Sequence, residues 1–143
     1  MKTKFKFLFL FLIGIALTSC SSRLIGTWTI QKYETTKPEQ QAITLINIGT
    51  ITFNKDGSGE KNVSYIVFGE NYFDDLEFNW TTENQYVTIE GQGSKFSKTW
   101  IMVESTRRTQ KWHSTNGGAL VEVLELTKII QPRVTTNSNS VVK

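Results

Sequence analysis

The chain of 143 residues has one cysteine and one histidine, and no stretch of it keeps a helical pattern. Each scarcity removes a class of explanation. A lone Cys20 leaves no disulfide to staple the fold, so stability must come from packing. With His113 as the sole imidazole, no histidine cluster can hold a metal, and the scattered carboxylates have no ligand spacing. A Ser-His-Asp arrangement would need His113 beside a serine and one of Asp56, Asp74 or Asp75. No nucleophile elbow accompanies them, so the chain reads as a non-enzyme with no catalytic residue and no cofactor. No window shows a 3.6-residue apolar period, which argues against a helical domain. Asp74-Asp75 has no calcium loop around it and reads as a solvated turn. Gly91-Gln92-Gly93 has no following helix to make it a phosphate loop, and reads as a turn.

Excess charge is also missing once its origin is located. The formal charge of +3 comes from Lys2, Lys4 and Lys6, so from Cys20 onward the chain balances to neutrality. The adjacent arginines Arg107 and Arg108 would point to opposite faces of a strand. Nucleic-acid binding therefore has no electrostatic footprint.

Those three lysines precede an apolar run from Phe7 to Leu17, far short of the roughly 20 residues that cross a bilayer as a helix. Leu17-Thr18-Ser19-Cys20 follows, with two small residues before the thiol. This pattern resembles the signal of bacterial lipoproteins and implies that residues 1–19 are an export signal and that Cys20 carries the lipid. Acyl chains such as palmitate contribute about 0.8 kcal/mol per buried CH₂, so several anchor a protein in effect permanently. Ser21 stands where Asp would favour retention in the inner membrane, and no acidic run follows Cys20. The expectation is an outer-membrane protein on the periplasmic face. Residues 20–23 form a tether of no more than about 10 Å beyond the cysteine.

From Leu24 the sequence reads as β-strands separated by turn signals. Expected strands cover 24–34, 44–54, 60–68, 73–82, 85–90, 95–103, 106–113 and 119–130. In the second, the apolar phase changes near Gly49, which predicts a bulge. Lys55-Asp56-Gly57-Ser58-Gly59 predicts a tight hairpin, and Asn116-Gly117-Gly118 another turn. In the fourth, Leu76, Phe78 and Trp80 alternate with polar residues and point inward. Residues 131–143 read as a frayed tail. An antiparallel meander of eight strands leaves two edges unless it closes, which predicts an up-and-down eight-stranded β-barrel over residues 24–130.

Gly26-Thr27-Trp28 on the first strand resembles the Gly-x-Trp signature of lipocalins and their bacterial lipocalin-like lipoprotein relatives. The hairpin at 55–59, Trp80 and the final Leu124-Glu125-Leu126-Thr127-Lys128 strand strengthen the likeness, which covers residues 24–130. It implies that Gly26 and Trp28 plug one end of the barrel. Lipocalins commonly set an Arg of the last strand against that Trp; here Lys128 is the substitute, with Arg107 or Arg108 as rivals. No Thr-Asp-Tyr motif of the secreted animal lipocalins is present, so no specific ligand carries over. The other end would be an open mouth ringed by loops at 35–42, 69–71, 91–93 and 114–118, the longest, 35–42, serving as a lid.

Two functional readings follow. Tyr65, Phe78, Trp80, Trp100 and Trp112 either line a cavity for a small hydrophobic ligand or fill the interior. In the first case the protein is a membrane-tethered, monomeric binding module. In the second it is a filled barrel whose loops bind a periplasmic protein or envelope polymer, for which Tyr72 and Phe73 beside Asp74-Asp75 are the exposed cue. The anchor is tested directly: Cys20→Ser should abolish incorporation of labelled palmitate and move the protein from the membrane to the soluble fraction.

Overall fold

The computed structural model describes residues 23–115 and 119–131. The expected signal, Cys20, the turn at 116–118 and the tail beyond residue 131 lie outside them. Nine strands occur among the described residues: β1 (Gly26–Thr36), β2 (Ile43–Phe53), β3 (Ser58–Val67), β4 (Glu70–Asp74), β5 (Phe78–Glu83), β6 (Tyr86–Glu90), β7 (Thr99–Ser105), β8 (Thr109–Ser114) and β9 (Val121–Lys128). Every pairing is antiparallel. The sheet runs β2-β1-β9-β8-β7-β6-β5-β3, and a β2–β3 pairing closes it on itself. β4 and β5 both lie on β3, at Val63–Val67 and at Ser58–Gly59, and so share one place in the wall. The result is the expected closed, eight-stranded up-and-down barrel.

The strand expected over 73–82 is therefore in two pieces, interrupted at 75–77. Leu76, expected inside, is 43% exposed, while Phe78 and Trp80 are buried as the alternation predicts. Other strand ends moved for reasons of turn chemistry. The strand expected from Lys95 starts only at Thr99, because the Ser94 hydroxyl accepts a bond from the Phe96 amide (3.1 Å) and the Ser97 amide turns back to the Ser94 carbonyl (3.3 Å). Thr106 does the same for the next turn. Its hydroxyl accepts from the amides of Arg108 (3.1 Å) and Thr109 (2.8 Å), which keeps both arginines in the turn rather than on a strand.

The bulge falls where the phase change placed it. Between β1 and β2, Ile30 faces Gly49 but Lys32 faces Ile46, so β2 carries one extra residue there, with Asn47 at φ +52°. Gly49 has φ +137°, and a Cβ on it would lie 2.0 Å from the Asn62 carbonyl oxygen. At the 55–59 hairpin, Asp56 accepts from the Ser58 amide (2.9 Å) and hydroxyl (2.6 Å), and Gly57 takes φ +85°. Inward side chains then make one core, dominated by Trp28, Trp100, Trp112, Phe53 and Phe96.

Gly49 and Gly69 separate close approach from backbone strain. Both have positive φ, but a Cβ at Gly69 meets nothing within 4 Å. Gly69→Ala should cost about 1 kcal/mol, whereas Gly49→Ala should cost about 3 kcal/mol or prevent folding. Urea unfolding midpoints at constant m check the difference.

Candidate functional site

The strand directions give the barrel a floor, where β1 begins and β9 ends, and a mouth, where β1 ends and β9 begins. At the floor, Trp28 is fully buried and its indole donates to the Leu24 carbonyl (2.7 Å). The Lys128 ammonium lies 5.0 Å from the centre of the Trp28 ring and donates to the Ile25 (2.7 Å) and Arg23 (3.3 Å) carbonyls. Burial holds the Lys128 pKa below the usual lysine value. Gly26, at φ +122°, leaves the space Lys128 needs: a Cβ there would sit 3.0 Å from its Cε. Arg107 and Arg108 lie in an exposed turn, and the cation set against Trp28 is Lys128.

Above the floor the five aromatic candidates separate. Phe53 meets Phe78 (5.5 Å), Trp80 (5.3 Å) and Trp112 (5.9 Å) edge-on, a mutually favourable ring geometry. The polar edges of those indoles are satisfied. Trp80 donates to the Ser58 and Asn54 carbonyls, and Trp112 to Gln110, whose amide in turn donates to Thr106. These three rings fill the closed half. Trp100, whose ring centre is 6.5 Å from that of Trp112, and Tyr65, stacked on Tyr72, lie toward the mouth.

The mouth is closed by a segment read from sequence as the turn 91–93 and the start of the strand 95–103. Residues 91–98 connect β6 to β7, and Phe96 in that connection is fully buried. Its ring packs 5.2 Å from Tyr33, and its carbonyl accepts from the Trp100 indole (3.0 Å). The long loop expected as the lid, 35–42, is instead exposed over 37–42.

Polar contacts hold the connection down on two sides. On one, Ser94 donates to Asp74 (2.5 Å), which also lies 3.2 Å from the buried ammonium of Lys61. Asp74 is thus an internal ion-pair partner, not part of a solvated turn; Asp75 alone is exposed. On the other side Lys98 pairs with the buried Glu122, which accepts from the Tyr33 phenol (2.6 Å). Burial, reinforced by the Glu122 carboxylate, pushes the Tyr33 phenol well above its usual pKa. Lys95 lies over the stacked rings of Tyr72 (4.5 Å) and Tyr65 (6.0 Å). Tyr72 therefore faces the mouth interior, and of the expected exposed pair only Phe73 points outward.

Sequence reasoning missed Phe96, Lys61, Lys98 and Glu122. The available signal was period-two alternation on β3 and β9, which places Lys61 in line with Gly59 and Val63, and Glu122 in line with Leu124 and Leu126. For the chemical candidates, Asp56 sits in the floor-end hairpin and His113 near the mouth end of β8, so those two are not brought together. Among the described residues no group of three or more His, Cys, Asp or Glu side chains is placed to hold a metal.

The Tyr33–Glu122 bond has a definite pH signature. A phenol whose folded pKa is raised contributes its full stability below its unfolded value near 10 and loses it as pH rises toward the folded pKa. Wild-type stability should fall above about pH 10. Tyr33→Phe should be weaker by about 1 kcal/mol at pH 7, with a flatter alkaline limb. Urea midpoints between pH 7 and 11 measure both.

Comparison with known proteins gives a likeness of shape. No family model matches the sequence, and no curated protein matches it. Bovine odorant-binding protein complexed with its natural ligand superposes with a TM-score of 0.48 at 14% identity, over 81% of this chain and 77% of that one. Its complex with undecanal gives the same values. A redesigned β-barrel superposes at 0.40 and 14% identity, over 76% of this chain and 94% of that one.

Proposed function

We propose that the protein is a non-enzymatic binding module, anchored to the outer membrane through a lipid on Cys20, that takes a small hydrophobic molecule into the mouth half of its barrel. One asymmetry carries this reading. Strand residues and a lysine bound to backbone carbonyls seal the floor, whereas the space behind the mouth is filled by Phe96, a side chain on a connection. Strand residues cannot leave without opening the sheet. A connection can lift when its few polar contacts exchange for water, and regions held in this way lie at the low end of local stability. Lifting residues 91–98 withdraws the Phe96 ring and uncovers Tyr33, Trp100 and Tyr65. Compact ligand sites are mostly apolar with a few polar groups that fix orientation, and Lys61, Lys98 and Glu122 provide those groups at this depth.

The anchor orients the site. Arg23, three residues after Cys20, lies at the floor, since its carbonyl accepts from Lys128. A tether of about 10 Å therefore holds the floor at the membrane and turns the mouth to the periplasm. A second reading, a barrel that stays filled and works through its rim, is favoured by Phe68, Phe73 and Ile66 on the outer surface, 90%, 78% and 65% exposed.

A fluorescent apolar probe such as N-phenyl-1-naphthylamine distinguishes the two readings. The binding reading expects saturable uptake with energy transfer from Trp100. Phe96→Ala should tighten it at least about tenfold, equivalent to about 1.4 kcal/mol. No saturable uptake by either protein would leave only the filled barrel.

A further inference from the structure

The outer surface of β3 to β6 carries an unbalanced charge. Between Asp56 and Ser94 the chain has eight carboxylates, on Asp56, Glu60, Glu70, Asp74, Asp75, Glu77, Glu83 and Glu90, and one basic residue, Lys61, which is buried inside. Asp74 is taken up by that lysine. Glu60, Asp75, Glu77 and Glu90 are exposed, and none of the ion pairs among the described residues includes them. Glu60, Glu77 and Glu90 flank one shallow depression of about 310 Å³, lined also by Asn54, Ser58 and Asn79.

Above the depression, on the same outward face, stand Ile66 on β3 and Phe73 on β4, and Phe68 caps the hairpin between them. From Glu60 to Ile66 the strip is about 20 Å long, at about 3.3 Å per residue. Phe68 is held there against local preference. It shares a two-residue turn with Gly69, both with positive φ (+52° and +83°), a turn that favours Asn-Gly and is strained for a bulky side chain. An exposed ring held in strained backbone, beside two more exposed apolar side chains, is a surface arranged for contact.

We infer that this strip is a docking surface for a cationic polypeptide segment that carries apolar side chains. Charge complementarity selects the occupant: the apolar end takes its apolar groups, and the unpaired carboxylates below take Lys or Arg. An anionic membrane or nucleic acid would meet repulsion along the same strip. This rests on the second reading above, the rim as an interaction surface, and is independent of uptake into the barrel.

The test uses the full chain in nanodiscs of zwitterionic phospholipid. Its probes are a twelve-residue peptide alternating Lys with Val and the same peptide with Glu in place of Lys. The Lys peptide should bind saturably and the Glu peptide should not. Phe68→Asn should weaken binding at least tenfold while raising the thermal unfolding midpoint, because it relieves the turn. Glu60→Gln with Glu77→Gln should weaken it similarly, and Glu125→Gln on the opposite wall should not. The probe N-phenyl-1-naphthylamine should give the same result in all these variants, which separates failure here from failure of the barrel reading. Absence of binding, equal binding of both peptides, or binding unchanged by Phe68→Asn would overturn the inference. So would self-association in sedimentation that Phe68→Asn abolishes, or capture of anionic vesicles through the strip.

Discussion

Phe53 presents to three aromatic rings at once, and that contact divides the barrel. An eight-stranded barrel has an interior just wide enough for side chains or one small molecule. At the floor half, Phe53, Phe78, Trp80 and Trp112 interlock edge to face at 5.3 to 5.9 Å, with Trp28 beneath them. Each ring is fixed by the next and the indole nitrogens are bonded, so no subset can move without leaving a cavity and an unsatisfied donor. The mouth half is filled differently, by a side chain that belongs to a connection and not to a strand.

The chemistry of the two halves differs in the same sense. At the floor end Lys128 lies against an aromatic face and backbone carbonyls, and higher up the Lys61 ammonium lies 5.1 Å from the centre of the Phe78 ring. The mouth half holds two ion pairs, Lys61 with Asp74 and Lys98 with Glu122. Buried charge pairs are weak contributors to stability because desolvation offsets most of their attraction, yet breaking one by removing a partner is costly. Ser94 and Lys98, one on each side of Phe96, attach the connection to these pairs rather than to the apolar core.

Much of this was legible in the sequence, and the failures have physical causes. The 55–59 hairpin, the bulge at Gly49 and the inward Phe78 and Trp80 follow from local rules that no distant contact overrides. Gly26, Trp28 and Lys128 were placed at one end by resemblance, and the structure puts the Lys128 ammonium on the Trp28 face. Phe96 escaped because Phe96, Lys98, Trp100 and Met102 continue one alternating face. The departure from strand is decided by the Ser94 side chain bonding backbone two residues on, which the pattern does not display. Asp74 was misread because its partner lies thirteen residues earlier, on an adjacent strand. A carboxylate in a polar stretch looks solvated until the register is known.

Net charge was similarly uninformative until the strands were placed. From Cys20 onward the acidic and basic residues balance, but the balance is between regions and not within them: the carboxylates of β3 to β6 gather on one wall. Alternation along the β3–β4 ribbon then assigns opposite tasks to neighbouring residues. Tyr72 and Asp74 turn inward to Lys95, Ser94 and Lys61, while Phe73 between them turns outward beside Ile66. Because β3 pairs with β2 only from Gly49↔Val63 downward, the upper ribbon is tied to the wall less firmly than its base. The exposed apolar side chains and the groups that hold Phe96 thus lie on opposite faces of one ribbon, and the alternation of the strand is what keeps the two sets apart.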